Sequence, residues 1–213
     1  MVEPSDNSSQ TLSRNLSRPS GEGIVIDIGT GDGTFVYHLA RLNPRKFVIG
    51  IDANPRPLEK ISEKIHRKPA KGGLPNVLFL QAAVEDLPWE LDAVADEIHV
   101  HFPWGSLLSA LVLGDIRILG RLRRICAPGA LLEVVTALDQ ERDRVELERL
   151  GITEFNPTYI QTLLLPRFRL AGFEITESDE SPPNHWRELH TTWAKRLKDN
   201  PTRQLTYIIA QAV

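Results

Sequence analysis

Residues 24–33 read Ile-Val-Ile-Asp-Ile-Gly-Thr-Gly-Asp-Gly. Apolar β-formers run into an acid and then into glycines at every second position. That pattern describes a buried strand stopping at a tight turn, with a helix beginning directly after it. Gly29, Gly31 and Gly33 permit positive φ there and let a ligand lie against bare backbone. A dinucleotide-binding turn would carry a further glycine at position 34, where this chain has Thr34. Two more acids stand at the ends of apolar runs. Asp52 closes Phe47-Val48-Ile49-Gly50-Ile51, and Glu85 follows Val77–Gln81. An acid at the first place can accept both hydroxyls of a ribose, and at the second the exocyclic amine of an adenine. Asp27 can hold the turn or reach an amino group. The blander roles are a helix cap ahead of Pro55 and Pro57 for Asp52 and a surface acid for Glu85. All three acids fall where ligands of open α/β sheets bind, beyond the carboxyl ends of the strands.

The acid-x-Gly-x-Gly-x-Gly stretch resembles the first motif of class I S-adenosylmethionine (SAM) methyltransferases. Enzymes of that class that act on amino groups often carry Asn/Asp-Pro-Pro-aromatic after the fourth strand. Here His101-Phe102-Pro103-Trp104 stands at that place and offers an apolar, aromatic wall. A wall suits a nucleophile with a free lone pair, such as adenine N1, which needs alignment and exclusion of water rather than a base. Methylation leaves a positive charge on the ring, which stacked indoles favour by roughly 1–2 kcal/mol. Trp104 reads as a stacking platform, or as a core tryptophan. Trp193, in Thr191-Thr192-Trp193-Ala194-Lys195-Arg196, is flanked by cations as base-stacking aromatics are, and equally suits helix packing.

Basic residues cluster twice. Lys60, Lys64 and Lys68 repeat at helical spacing, and Arg67 and Lys71 extend them toward Gly72-Gly73, which reads as a flexible tip suited to a phosphate backbone. A solvated helix face is the alternative. Lys195, Arg196, Lys198 and Arg203 form the second patch.

These residues need an α/β frame. Strands are expected at about 24–28, 47–51, 77–81, 96–101, 131–136, 173–176 and 205–212. Helices are expected at about 33–42, 57–68, 117–125, 157–171 (interrupted by Pro166) and 189–198, with a charged segment at 139–151 and a polar loop at 179–187. Phe35, Val36, Leu39 and Ala40 mark the inner face of the first helix. Five alternating β/α units and a closing strand pair predict a Rossmann-like class I methyltransferase fold, a seven-stranded, mostly parallel sheet with helices on both faces. Residues 1–22, rich in Ser, Asn and Pro, read as a flexible segment ahead of one domain spanning 23–213.

Composition limits the choices. At 213 residues and 41% hydrophobic content the chain suits a soluble globular domain, and no apolar run approaches the length of a membrane span. One cysteine, Cys126, excludes an internal disulfide and a cysteine-rich metal site and fits a reducing, cytoplasmic setting. A net charge of −3 leaves nucleic-acid binding to the local patches.

Four stretches together resemble the 16S rRNA adenine-1408 N1-methyltransferases that confer aminoglycoside resistance. They are Asp-Ile-Gly-Thr-Gly-Asp-Gly (27–33), Lys-Pro-Ala-Lys-Gly-Gly-Leu-Pro-Asn (68–76), Phe-Pro-Trp-Gly-Ser-Leu-Leu (102–108) and Trp-Ala-Lys-Arg-Leu (193–197). The resemblance, over about residues 24–204, implies SAM contacts at Gly29, Gly31, Asp52, Val84 and Glu85. It implies others along His101, Phe102, Pro103, Trp104, Gly105 and Ser106, and at Thr191, Thr192 and Trp193. It implies that Trp104 and Trp193 sandwich a flipped adenine. Contacts with 16S rRNA in the 30S subunit are implied for Lys64, Arg67, Lys68, Lys71, Arg196 and Arg203. No metal, no membrane and a monomer are expected. The family begins with a short β-hairpin, which residues 1–22 do not read as, and Pro201 stands where some relatives carry a basic residue. The competing readings are a tRNA guanine-N7 methyltransferase, which would continue Asp-Pro-Trp-Pro-Lys, a small-molecule methyltransferase, and a non-catalytic SAM- or ribosome-binding module.

Overall fold

The computed structural model describes residues 23–139, 141–152, 155–181 and 205–213. Residues 1–22, the expected helix at 189–198, Pro201 and the second basic patch lie outside the described residues. Seven strands form one sheet in the order β3-β2-β1-β4-β5-β7-β6. They are β1 (Ile24–Ile28), β2 (Phe47–Asp52), β3 (Val77–Gln81), β4 (Ala95–His101), β5 (Cys126–Thr136), β6 (Phe173–Ser181) and β7 (Leu205–Ala212). The first five are parallel, and β7 runs antiparallel between β5 and β6. The chain steps outward from β1 to β3, then returns to begin again at β4. The crevice at that reversal, between β1 and β4, is where such sheets bind ligands.

All five residues of β1 are buried, because helices cover both faces. Ile24, Ile26 and Ile28 pack on one face with Ile98, Leu119, Leu122 and Phe168. Val25 packs on the other with Val48 and with Val36, Tyr37 and Ala40 of helix α1 (Thr34–Leu42). Alternation therefore turns Asp27 toward the α1 side. Within α1, Val36 and Ala40 face inward as expected. Tyr37 is buried beside them, while Phe35 turns toward the crevice.

Several expected boundaries move. The second helix, α2 (Glu59–Ile65), ends three residues before Lys68, because Leu74 N donates to the Ile65 carbonyl and folds the chain back. Lys68 therefore does not share a helical face with Lys60 and Lys64. Helix α3 (Gly105–Val112) was not legible, since Gly-Ser-Leu-Leu-Ser-Ala-Leu-Val has too few polar residues to show an amphipathic period. It is followed by α4 (Ile116–Ile125), capped by the Asp115 carboxylate on Arg117 N. The charged segment holds a short helix, α5 (Arg144–Arg149). Pro166 does not interrupt its helix. A π-turn at Ile160–Leu164 joins α6 (Pro157–Tyr159) to α7 (Leu165–Leu170), widening the hydrogen-bond register where proline offers no N–H. Strand β5 starts earlier than expected, and β6 runs through residues 179–181, which read as loop in the sequence. Cys126 is a buried core residue whose Sγ donates to the Leu122 carbonyl, and burial pushes its thiol up to about 12.

Candidate active site

A cavity of about 540 Å³ opens at the carboxyl ends of β1, β2, β3 and β4. Its size suits a nucleoside-sized ligand. Asp27, Gly29, Gly31, Asp52, Val84, Glu85, His101, Phe102, Pro103, Trp104 and Ser106, all singled out from the sequence, line it. Gly105 is not among the lining residues, and Thr191, Thr192 and Trp193 fall outside the described ones. Phe35, Pro57, Ala83 and Leu107 also line the cavity and were not singled out from sequence. Apolar residues in helix and loop carry no chemical signature that would have marked them.

The glycine turn is built as the spacing requires. Gly29, Gly31 and Gly33 have φ of 75°, 59° and 69°, and a Cβ on Gly33 would come within 2.6 Å of the Phe79 ring. At Gly31 nothing lies within 4 Å of where a Cβ would stand, so that face of the turn is open to a ligand. Gly29 N and Thr30 N donate to the Ile51 carbonyl, which ties the turn to the end of β2.

Asp52 serves the same tie with its side chain. Oδ2 accepts from Gly31 N at 2.8 Å and Oδ1 from Asn54 N at 2.8 Å. The helix-cap role weighed from sequence is not found, since the helical turn that follows is capped at Pro55 without a side-chain bond and Asp52 instead closes a turn on Asn54 N; each carboxylate oxygen keeps a further lone pair. Glu85 sits in a 3₁₀ turn, Val84–Asp86, exposed at the rim, with Val84 buried behind it.

Opposite the glycine turn, Phe102 has φ of 51°, in the left-handed region that costs a non-glycine residue roughly 1–2 kcal/mol. Its N–H donates to the Val135 carbonyl at 2.8 Å and its ring is buried with Val135 and Leu205. The strained residue reverses the chain so that Pro103 is buried and Trp104, 40% exposed, stands at the cavity mouth.

Charge is arranged in depth. Asp27 is buried, and burial pushes its carboxyl up, partly offset by His101 and His99. Glu133, on β5, accepts from His101 Nε2 at 2.6 Å and from His99 Nδ1 at 3.0 Å. Burial alone would lower His99, but its hydrogen bond to Glu133 and the Glu97 carboxylate 3.6 Å from its Nε2 outweigh that and raise it to about 9. Its folded value exceeds the ordinary 6.5, so its stabilisation is complete below 6.5 and drains as pH rises through about 9. Melting temperature should therefore fall by several degrees between about pH 6 and about pH 9.5, at about 2–4 °C per kcal/mol for a domain of this size. His99→Gln should flatten that slope, and an unchanged slope by differential scanning fluorimetry would remove the assignment.

The described basic patch forms a fixed loop. Arg67, Lys68 and Lys71 are exposed, whereas the Lys64 ammonium lies 3.8 Å from the centre of the Tyr37 ring. Tyr37 OH donates to the Gly72 carbonyl at 3.0 Å, and Gly73 N donates to the Lys68 carbonyl at 3.2 Å. A Cβ on Gly73 would stand 1.7 Å from the Arg67 carbonyl oxygen. The two glycines expected to make a flexible tip instead allow a tight fold. Gly73→Ala should therefore displace the loop and lower the melting temperature by several degrees in differential scanning fluorimetry.

The family model for NpmA, 16S rRNA (adenine(1408)-N(1))-methyltransferase, matches residues 6–212. The chain belongs to the 16S rRNA (adenine(1408)-N(1))-methyltransferase family. It is a class I, SAM-dependent rRNA methyltransferase. The family's enzyme from Streptoalloteichus tenebrarius is 37% identical over 187 residues, 87% of this chain and 85% of its own. The crystal structure of the aminoglycoside resistance methyltransferase NpmB1 superposes with a TM-score of 0.81 at 46% identity, covering 96% of this chain and 93% of that one. The family's enzyme from Catenulisporales acidiphilia, a tryptophan-to-alanine variant with cosubstrate SAM, superposes at 0.86 and 31% identity, covering 96% and 91%.

Proposed function

We propose that this enzyme methylates N1 of adenine 1408 in helix 44 of 16S rRNA, acting on the assembled 30S subunit, and so confers aminoglycoside resistance. The observation that carries this reading is Trp104, held at the mouth of a SAM-sized cavity by the Phe102 reversal. The open backbone at Gly31, the Asp52 and Glu85 carboxylates and the buried Asp27 fit the three parts of SAM. Asp52 takes the ribose hydroxyls, Glu85 and Val84 the adenine, and Asp27 with Gly29 the methionyl end. Further SAM contacts are assigned to the 101–106 turn and to Thr191, Thr192 and Trp193.

SAM supplies an electrophilic methyl group whose sulfur leaves with the bonding pair as adenine N1 forms its new bond to carbon. The wall of Phe102 and Pro103 excludes water, and Trp104 aligns the base and favours the positive charge the ring acquires. Adenine N1 is unprotonated at neutral pH, so no side chain must remove a proton first. Trp193 is assigned the opposite face of the flipped base. Lys64, Arg67, Lys68 and Lys71 are assigned to rRNA phosphates together with Arg196 and Arg203, which position without reading sequence.

The enzyme is further proposed to act as a monomer in the cytoplasm, with residues 1–22 as a flexible segment ahead of the domain at 23–213. Among the described residues no helix is long and apolar enough to cross a membrane.

Incubating isolated 30S subunits with enzyme and SAM should give a primer-extension stop at adenine 1408, with little methylation of naked 16S rRNA. Absence of the stop, with SAM still bound, would remove the assigned substrate.

A further inference from the structure

The α1 side of the sheet carries a row of charge where core would be apolar. Strand register sets Asp27 on β1 beside His99 on β4, and His99 beside Glu133 on β5. His101, two residues on, faces the same way and reaches the cavity. From the surface inward the signs alternate. Lys46 meets Glu97 at 2.5 Å, and Glu97 lies 3.6 Å from His99 Nε2. His99 and His101 then share the single oxygen Oε1 of Glu133. The edge of Phe35 packs on both imidazoles, at 5.3 and 4.6 Å between ring centres. His101 is buried, and its Nδ1 has no hydrogen-bond partner among the described residues.

Charged groups are retained at such depth only when paired, and removing one partner leaves its neighbour uncompensated. Glu133 does not line the cavity, yet its carboxylate hydrogen-bonds both histidines. We infer that Glu133 is a positioning residue for the methionyl end of the cofactor. By fixing His99 and His101 through one carboxylate oxygen, it sets the polar wall beside Asp27 that receives a ligand ammonium group. The inference rests on the reading that places the methionyl end at Asp27. Burial pushes the Asp27 carboxyl up, and His101, Thr30 and His99 act against that shift. An ionised Asp27 forms a charge-assisted bond to the ammonium, whereas a protonated one offers only a neutral contact.

The test compares ligands with and without the amino-acid tail. Affinities of SAM, S-adenosylhomocysteine and the tail-less 5′-methylthioadenosine are measured by calorimetry for the wild type, Glu133→Gln and Asp27→Asn. Glutamine keeps the size and one acceptor but removes the charge. Glu133→Gln should weaken both tailed ligands about tenfold and leave the tail-less one unchanged. Equal weakening of all three ligands would make Glu133 merely structural, and no weakening would remove its role. Both overturn the inference. Asp27→Asn separates the two levels: if it fails to discriminate tailed from tail-less ligands, the placement of the methionyl end fails with it. If it discriminates and Glu133→Gln does not, only the relay fails. His99, His101 and Glu133 also bring possible metal ligands within 4.8 Å of one another. A loss of wild-type SAM affinity on adding EDTA would therefore assign the triad to a metal ion and overturn the relay.

Discussion

Trp104→Ala is expected to reduce methylation of 30S subunits by roughly 10- to 100-fold while SAM affinity stays within about threefold. A stacked base is worth roughly 1–3 kcal/mol, and on the proposed mechanism the indole also faces a ring that is gaining positive charge in the transition state. Truncation at a residue 40% exposed opens no core cavity, so the fold should persist and the loss should fall on the methyl-transfer step. Trp104→Phe, which keeps a smaller π-face, should recover part of the activity. Single-turnover methylation by filter binding, paired with calorimetric SAM binding, separates the two terms. Loss of SAM affinity with an unchanged single-turnover rate would move Trp104 from the base to the cofactor.

Asp52→Ala should have the largest effect on the cofactor side, a fall in SAM affinity of about 100-fold. The substitution removes two acceptors at once. Gly31 N and Asn54 N, each 2.8 Å from a carboxylate oxygen, lose their partners, and the glycine turn loses a tie to β2. Hydrogen bonds to a charged group contribute about 1.5–3 kcal/mol each, and the ribose hydroxyls are expected to draw on the same two oxygens. Part of the loss will therefore appear as stability, and the melting temperature of the SAM-free protein should fall by a few degrees. Asp52→Asn retains one carbonyl oxygen and should lie between wild type and alanine on both measures. A lower melting temperature with unchanged SAM affinity would reduce Asp52 to a scaffold for the turn.

The cofactor half of the site was legible because its signals are local. A glycine every second residue and acids at the ends of apolar runs can be read within about ten positions. The seven-stranded, mostly parallel sheet followed from the alternation of strand and helix patterns along the chain. What escaped reading depends on distance along the chain. Glu133 joins His99 and His101 only because β4 and β5 are in register, across 34 and 32 residues. Gly72 and Gly73 read as loose because Tyr37, 35 residues earlier, is what holds Gly72. Helix α3 escaped for the opposite reason, since a stretch with few polar residues presents no face by which to recognise it.

Tyr37 has one more consequence. It lies on α1, the nine-residue helix that begins directly after the glycine turn, and its hydroxyl holds the basic loop at Gly72. The loop is therefore not an independent module. Grafting residues 66–73 onto a related scaffold should transfer their charge without their shape unless Tyr37 and Lys64 travel with them. Anyone exchanging such loops to retarget an RNA-modifying enzyme would be exchanging three segments, one of them rooted beside the cofactor.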